Sequence, residues 1–312
     1  MKSRHFLFAI LIFLPCFVQA AEMDDVRSFH LDVIRPPPKP GDEIEKVAGY
    51  FSTTTGTKLL NEREVPTNAQ VFESLKGRER ILNWDARNGL AKVEMVIDRL
   101  LSSRNYRTNE LVKPGTRVIG NAIAGQMFFR SEDAPLSMEA RRVLGESCTI
   151  RPSDPLEYGF LKLTQPRSIG ERWEAESLPN PTELTDPRFD PRLQPLLENV
   201  NTINSTVYFV GKTNVFGLSC FHLQIESHVA PREITESLRR IMMRGNPGKA
   251  EFQMNIVDDL IWPFDLSQRL VMKIHSSDAW VSGEATVDGT NISFHVRTSL
   301  RSFVEFRPVQ KH

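Results

Sequence analysis

The stretch LSCFHLQIESHV, residues 218–229, decides the fold. Phe221, Leu223, Ile225 and Val229 fall on one side of an extended chain, and Cys220, His222, Gln224, Glu226 and His228 fall on the other. A period of two marks a strand with one buried face and one wet face. Just upstream, residues 204–211 are expected to be its partner strand, with Asn214-Val215-Phe216-Gly217 as the return of an antiparallel hairpin. Downstream, Leu270, Met272 and Ile274 alternate with Arg269, Lys273 and His275. Ile292, Phe294 and Val296 alternate with Ser293, His295 and Arg297. Residues 268–275, 279–287 and 291–300 are therefore expected to form a meander, with a return at Asp288-Gly289-Thr290.

The N-terminal half repeats the pattern. Residues 45–54 and 57–65 flank Gly56 as two strands. Residues 80–84 and 90–101 form a hairpin around Asp85-Ala86-Arg87-Asn88-Gly89, where Asn-Gly supplies the positive φ values of a tight return. Val93, Met95 and Ile97 share one face of its second strand. Lys113-Pro114-Gly115-Thr116 reads as a type II turn between that hairpin and the strands 117–122 and 126–130. Three helices are expected. One spans 67–75, from Val71, Phe72 and Leu75; one spans 137–144, opened by Ser137 and closed by Gly145; one spans 231–244, from the stripe Ile234, Leu238, Ile241 and Met242. The fold class that follows is mainly β (α+β): a large curved antiparallel sheet or half-barrel with a few covering helices. A closed sandwich is the rival.

Domain limits come from composition. Lys2 and Arg4, the apolar run 6–18 and Val18-Gln19-Ala20 read as a secretory signal peptide over residues 1–20, cleaved near Ala20. That predicts a periplasmic or secreted protein. The run is about 13 residues, short of the roughly 20 that span a bilayer as a helix. Pro15 before Cys16 breaks the lipidation motif. Residues 21–43 form a proline-rich lead-in, and residues 44–312 a β-rich domain. Pro181, Pro187, Pro191 and Pro195 mark an internal boundary near 180–200. Cleavage leaves Cys148 and Cys220, a disulfide candidate in an oxidising compartment; two unpaired cysteines are the alternative. A bridge would close about 70 residues and stabilise by about 4 kcal/mol on the chain-entropy model.

Lys+Arg 39 balances Asp+Glu 39, so no field of one sign gathers nucleic acid. The mature chain has no second long apolar run, so no helical membrane span is expected in it. His222, Glu226 and His228, with His275 and His295 on other strands, are the nearest approach to a metal set. His222 and Glu226 stand about 13 Å apart along a strand, too far for one ion. Glu251, Asp258, Asp259 and Asp265 lie near Trp262 and Phe264; such a set suits glycan hydrolysis, or it is a loop with acidic caps. Gly217-Leu218-Ser219-Cys220 lacks the second glycine of a nucleophile elbow, and Cys220 beside His222 is not a dyad. Asn204 and Asn291 match glycosylation sequons within expected strands. Arg78, Arg80, Arg99, Arg104 and Arg107 make one region locally basic, either a groove for anionic lipid or glycan or a solvated face balanced by Glu79, Asp85, Glu94 and Asp98. No cofactor is implied.

Pro166, Gly170, Glu171 and Trp173 form a phrase that resembles the proline–x–x–x–glycine–acidic–x–tryptophan segment of uncharacterised exported bacterial β-rich proteins. That group implies an exported β protein and transfers no catalytic residue. Its sheet is similar to lipoprotein-carrier-like half-barrels at the level of fold. The reading that follows is non-enzymatic binding of a lipid, a lipoprotein segment or a protein partner in the envelope. Leu270, Met272, Ile274, Ile292, Phe294, Val296 and Trp262 are the expected ligand-facing residues. An envelope hydrolase using the carboxylates near Trp262 is the second reading, and an assembly module hung on the proline-rich tether the third.

Overall fold

A computed structural model of the chain describes residues 28–31, 38–60, 63–85, 90–123, 126–148, 161, 163, 165–175, 204–241, 246–287 and 290–309. The leader, most of the proline-rich lead-in and the 180–200 boundary lie outside them. Alternating sequence becomes long strands, as the period of two dictates. In chain order these are β1 (Ser28–Phe29), β2 (Glu43–Leu60), β3 (Arg63–Asp85), β4 (Leu90–Arg104), β5 (Arg107–Glu110), β6 (Thr116–Ile123) and β7 (Gln126–Ser131). Helix α1 (Met138–Ser147) follows, then β8 (Arg167–Ser168), β9 (Arg172–Glu174), β10 (Asn204–Val215) and β11 (Leu218–Glu233). Helix α2 (Thr235–Ile241), β12 (Asn246–Pro263), β13 (Met272–Val287) and β14 (Thr290–Pro308) complete the described elements.

The main sheet has 12 antiparallel strands in the order β7-β6-β4-β3-β2-β14-β13-β12-β11-β10-β9, with β5 pairing β4. Its end strands β7 and β9 do not pair with each other, so the sheet does not close into a barrel. β2 and β14, from opposite ends of the chain, pair at its centre from Leu60↔Ile292 to Ile44↔Pro308. β1 and β8 form a separate two-stranded ribbon. Both described helices lie on one face of the main sheet, here the inner face. α1 seats Ala140, Val143 and Leu144 against Leu75, Val93, Met95, Ile97 and Phe129. Ile234, just before α2, packs with Phe252, Met254 and Ile256. A third cluster gathers Phe209, Phe221, Leu223, Leu260 and Trp262 beneath Leu31 and Leu161.

Several expectations are corrected. Residues 67–75 are strand, not helix: Val71 faces inward while Phe72, on the opposite face, is 39% exposed. Pro231 belongs to β11, and the helix that follows starts only at Thr235. Gly145 lies inside α1, which runs on to Ser147. Ser137 caps α1 as expected, its Oγ accepting from the Ala140 N–H at 3.1 Å. Residues 268–287 do not divide into two strands; β13 runs unbroken from Met272 because Ser277 turns inward and stays buried. The Cys148–Cys220 bridge is not formed. Both cysteines are buried, and no disulfide joins them. Cys148 lies in the cluster under α1, with its Sγ 4.0 Å from Met95 Sδ, whereas Cys220 packs with Ile261 and Val271 on the outer face. The two thiols therefore sit on opposite sides of the sheet. Burial pushes the Cys220 thiol pKa up, against a backbone hydrogen bond from Val215 that lowers it.

Candidate functional site

Residues directly opposite in an antiparallel ladder share a face, so the register lists the inner face row by row. One row is polar from end to end. Asp258, His275, Ser302, Tyr50, Glu73 and Ser102 sit opposite one another across β12, β13, β14, β2, β3 and β4. All six are buried. Asp258 Oδ1 meets His275 Nδ1 at 2.9 Å, and Lys273 Nζ approaches the same oxygen at 3.7 Å. His275 Nε2 and Ser277 Oγ have no hydrogen-bond partner among the described residues. At the other end Glu73 is held by the Arg142 guanidinium of α1, and Ser102 Oγ donates to Glu139 Oε1 at 2.8 Å. Burying so many polar groups costs stability unless each is partnered. This row is the least core-like part of the inner face.

The polar row opens into a groove of about 810 Å³ between α1 and the β4–β5 hairpin. One wall carries Ser102, Arg104, Arg107 and Asn109; the other carries Met138, Glu139, Arg141 and Arg142. Arg104 and Arg107 face each other directly across a two-residue turn. Its residues, Asn105 and Tyr106, have φ values of 47° and 68°, as a type I′ return demands. A tyrosine is a poor occupant of that region. The turn is pinned to β3 by Asn105 N donating to Gln70 O at 3.0 Å and Gln70 N donating to Asn105 Oδ1 at 3.1 Å. Arg142 is tied to Glu73 and Glu146. Burial would lower its pKa; the hydrogen bond to Glu73 and the charges of Glu73, Glu146 and Glu139 raise it instead. Arg141 Nε donates to Leu136 O at 3.1 Å, and Arg104 approaches Glu139 only to 3.8 Å.

Beyond the polar row, toward the ends of β2, β3, β13 and β14, the inner face is less covered and sets apolar residues among Ser52, Thr54, Thr67 and Thr298. Leu300 and Ser52 are buried, and Val71 beside them is half-buried. Two rows further on, Val281 and Val296 are half-buried, as are Phe294 and Ile292 beyond them. In the Phe294 row Val65 is 45% exposed. Arg104 of the groove stands directly opposite Val71.

The expected ligand-facing residues therefore divide. Ile292, Phe294 and Val296 line this inner strip, opposite Ala285, Gly283 and Val281. Met272 and Ile274 project from the outer face, because β13 places Lys273, His275 and Ser277 inward. Leu270 and Trp262 lie within the packed cluster of Phe221 and Leu260. The carboxylates do not converge. Asp258 is inward, whereas Asp259 is outward, with Oδ1 2.8 Å from His222 Nε2 and 3.1 Å from Gln224 Nε2. Glu226, also outward, faces Arg172 at 4.0 Å. Among the described residues no group of three His, Cys, Asp or Glu side chains is placed to hold a metal, and no helix is long and apolar enough to cross a membrane. Of the basic region, Arg104 and Arg107 enter the groove; Arg141 and Arg142 join them from α1, which no local pattern in the sequence signals.

The phrase around Trp173 acts as a staple. Gly170 has a φ of 85°, and its N–H donates to Phe209 O at 2.8 Å. Glu171 accepts from the Ser168 N–H at 2.8 Å and from Arg167 Nη1 at 2.6 Å. Trp173 Nε1 donates to Leu161 O at 2.6 Å, and the Arg167 guanidinium stacks 4.3 Å from the Trp173 ring. These residues tie β8 and β9 to β10.

No family model and no curated protein matches the chain. Among solved structures it is similar to lipovitellin, from a structure of its lipid–protein interactions, at 11% identity and a TM-score of 0.29 over 88% of this chain and 26% of that one. The chain thus spans about a quarter of the lipovitellin chain. An exported protein with a YmcC-like fold from Bacteroides fragilis is 9% identical, with a TM-score of 0.14 over 92% of this chain and 100% of that one. A DUF1329 family protein from Desulfovibrio piger is 11% identical, with a TM-score of 0.17 over 83% of this chain and 85% of that one.

Proposed function

We propose that this protein is exported to the cell envelope and holds the acyl part of a lipid, without catalysis, on the inner strip of its sheet. The observation that carries the reading is the contrast along that face. Beneath α1 the apolar rows are fully buried, as at Leu75, Ile97 and Leu100. At the strand ends Val71, Val281, Phe294 and Val296 stay half-buried and Val65 is 45% exposed. Apolar surface left accessible on an otherwise covered face is what an apolar ligand would bury. From β3 to β13 the strip crosses three strand spacings, about 14 Å at the usual inter-strand distance. Export follows from the leader at residues 1–20.

Native mass spectrometry of the purified chain with a long-chain fatty acid tests the reading. The wild type is expected to carry one adduct per chain. Val65→Asp and Val296→Asp, which place a charge in the strip, should remove it, with thermal unfolding as the control for folding. An adduct retained in both variants would contradict the proposal.

A further inference from the structure

We propose that the arginine-walled groove between α1 and the β4–β5 hairpin is a phosphate site, and that it takes the phosphate-bearing headgroup of the lipid; the second half rests on the lipid reading above. Arg104 and Arg107 are like charges placed directly opposite on neighbouring strands, an arrangement that costs stability by itself. The turn that forces them together holds Tyr106, 82% exposed, in the left-handed region. Strain and repulsion at one spot are what an anion would relieve.

The groove's cations are not all spent internally. Arg142 is committed to Glu73 and Glu146, and so positions the α1 wall. Arg107 has no carboxylate partner among the described residues, and Arg141 uses only Nε, on a backbone carbonyl. Glu139, the one carboxylate in the lining, accepts from Ser102. Four guanidinium groups thus line the groove against one carboxylate, in a chain whose net charge is zero. Guanidinium offers a planar fork that matches two phosphate oxygens at once. Met138, 84% exposed on the first turn of α1, forms an apolar lip, and Arg104 stands opposite Val71 at the start of the apolar strip. A phosphate in the groove would leave its attached chain lying along that strip.

The experiment compares pyrene-labelled phosphatidic acid with pyrene-labelled diacylglycerol of the same chain length, with free glycerol 3-phosphate as a third, soluble probe. The wild type is expected to bind the phosphatidic acid more tightly. Arg107→Ala and Arg141→Ala should each cost roughly tenfold in that affinity, the loss of one charge-assisted contact. Diacylglycerol binding and thermal unfolding should not change. Lysine at either position should restore part of the affinity but less than arginine gives. Equal binding of the two lipids, or an undiminished preference in the double variant, would overturn the phosphate site and leave the lipid reading standing. Should neither lipid bind, the headgroup assignment falls with the lipid reading. Arginine-dependent binding of glycerol 3-phosphate would then uphold a site for free phosphate esters, and its absence would overturn that as well.

Discussion

At the scale of single residues, the outliers carry the information. Glu171 is a surface-side carboxylate whose pKa is lowered, first by the Ser168 N–H and then by Arg167. A carboxyl group depressed in the folded state adds stability above its unfolded pKa, about 4.3. That stability is lost as pH falls through the lower, folded value. Glu171→Gln should therefore reduce stability at neutral pH by no more than about 1 kcal/mol, since the pair is solvent-screened. The gap between variant and wild type should shrink on the acid side. Chemical unfolding at a series of pH values measures this, and a gap that stays constant into the acid range would contradict it. Glu73 stands out by its position: it is buried, bound to Arg142, and part of a polar row that no apolar core requires.

At the scale of elements, legibility followed the cleanness of the alternation. The hairpin β10–β11 is readable because no charged residue of β11 itself falls among its inward positions Phe221, Leu223, Ile225 and Val229. Strand β12 is not. Phe252, Met254, Ile256, Leu260 and Trp262 do recur at a period of two, but buried Asp258 occupies an inward position and breaks the pattern. Residues 67–75 of β3 read as helix because Val71, Phe72 and Leu75 fit a 3.6-residue spacing; only pairing to β2 and β4 shows Phe72 on the other face. The groove was half readable. Arg104 and Arg107 flank a short turn in the sequence, but Arg141 and Arg142 reach them only through the packing of α1. The β4–β5 turn offers a test of its strain. Tyr106→Gly turns Asn105-Tyr106 into Asn-Gly, the preferred occupant of a type I′ turn, and should stabilise by up to about 1 kcal/mol. A lowered melting temperature in that variant would contradict the strain argument.

At the scale of the whole molecule, one sheet carries two surfaces of different character. The outer face is mixed, with aromatic residues such as Phe51, 44% exposed, set among polar neighbours. The inner face is sealed by helices at its β7 and β12 regions and open at the tips of β2, β3, β13 and β14. Because β2 and β14 pair at the centre, the strip exists only once the two ends of the chain have met. Binding should therefore report on the complete fold and not on one hairpin. The most direct measurement is photo-crosslinking with a phosphatidic acid that carries a diazirine in its acyl chain, followed by peptide mapping. The account predicts labels at Val65, Val71, Val281, Phe294 and Val296, on the inner face. Labels concentrated at Phe51, Phe72 and Phe303, on the outer face, or no site-specific labels at all, would contradict it.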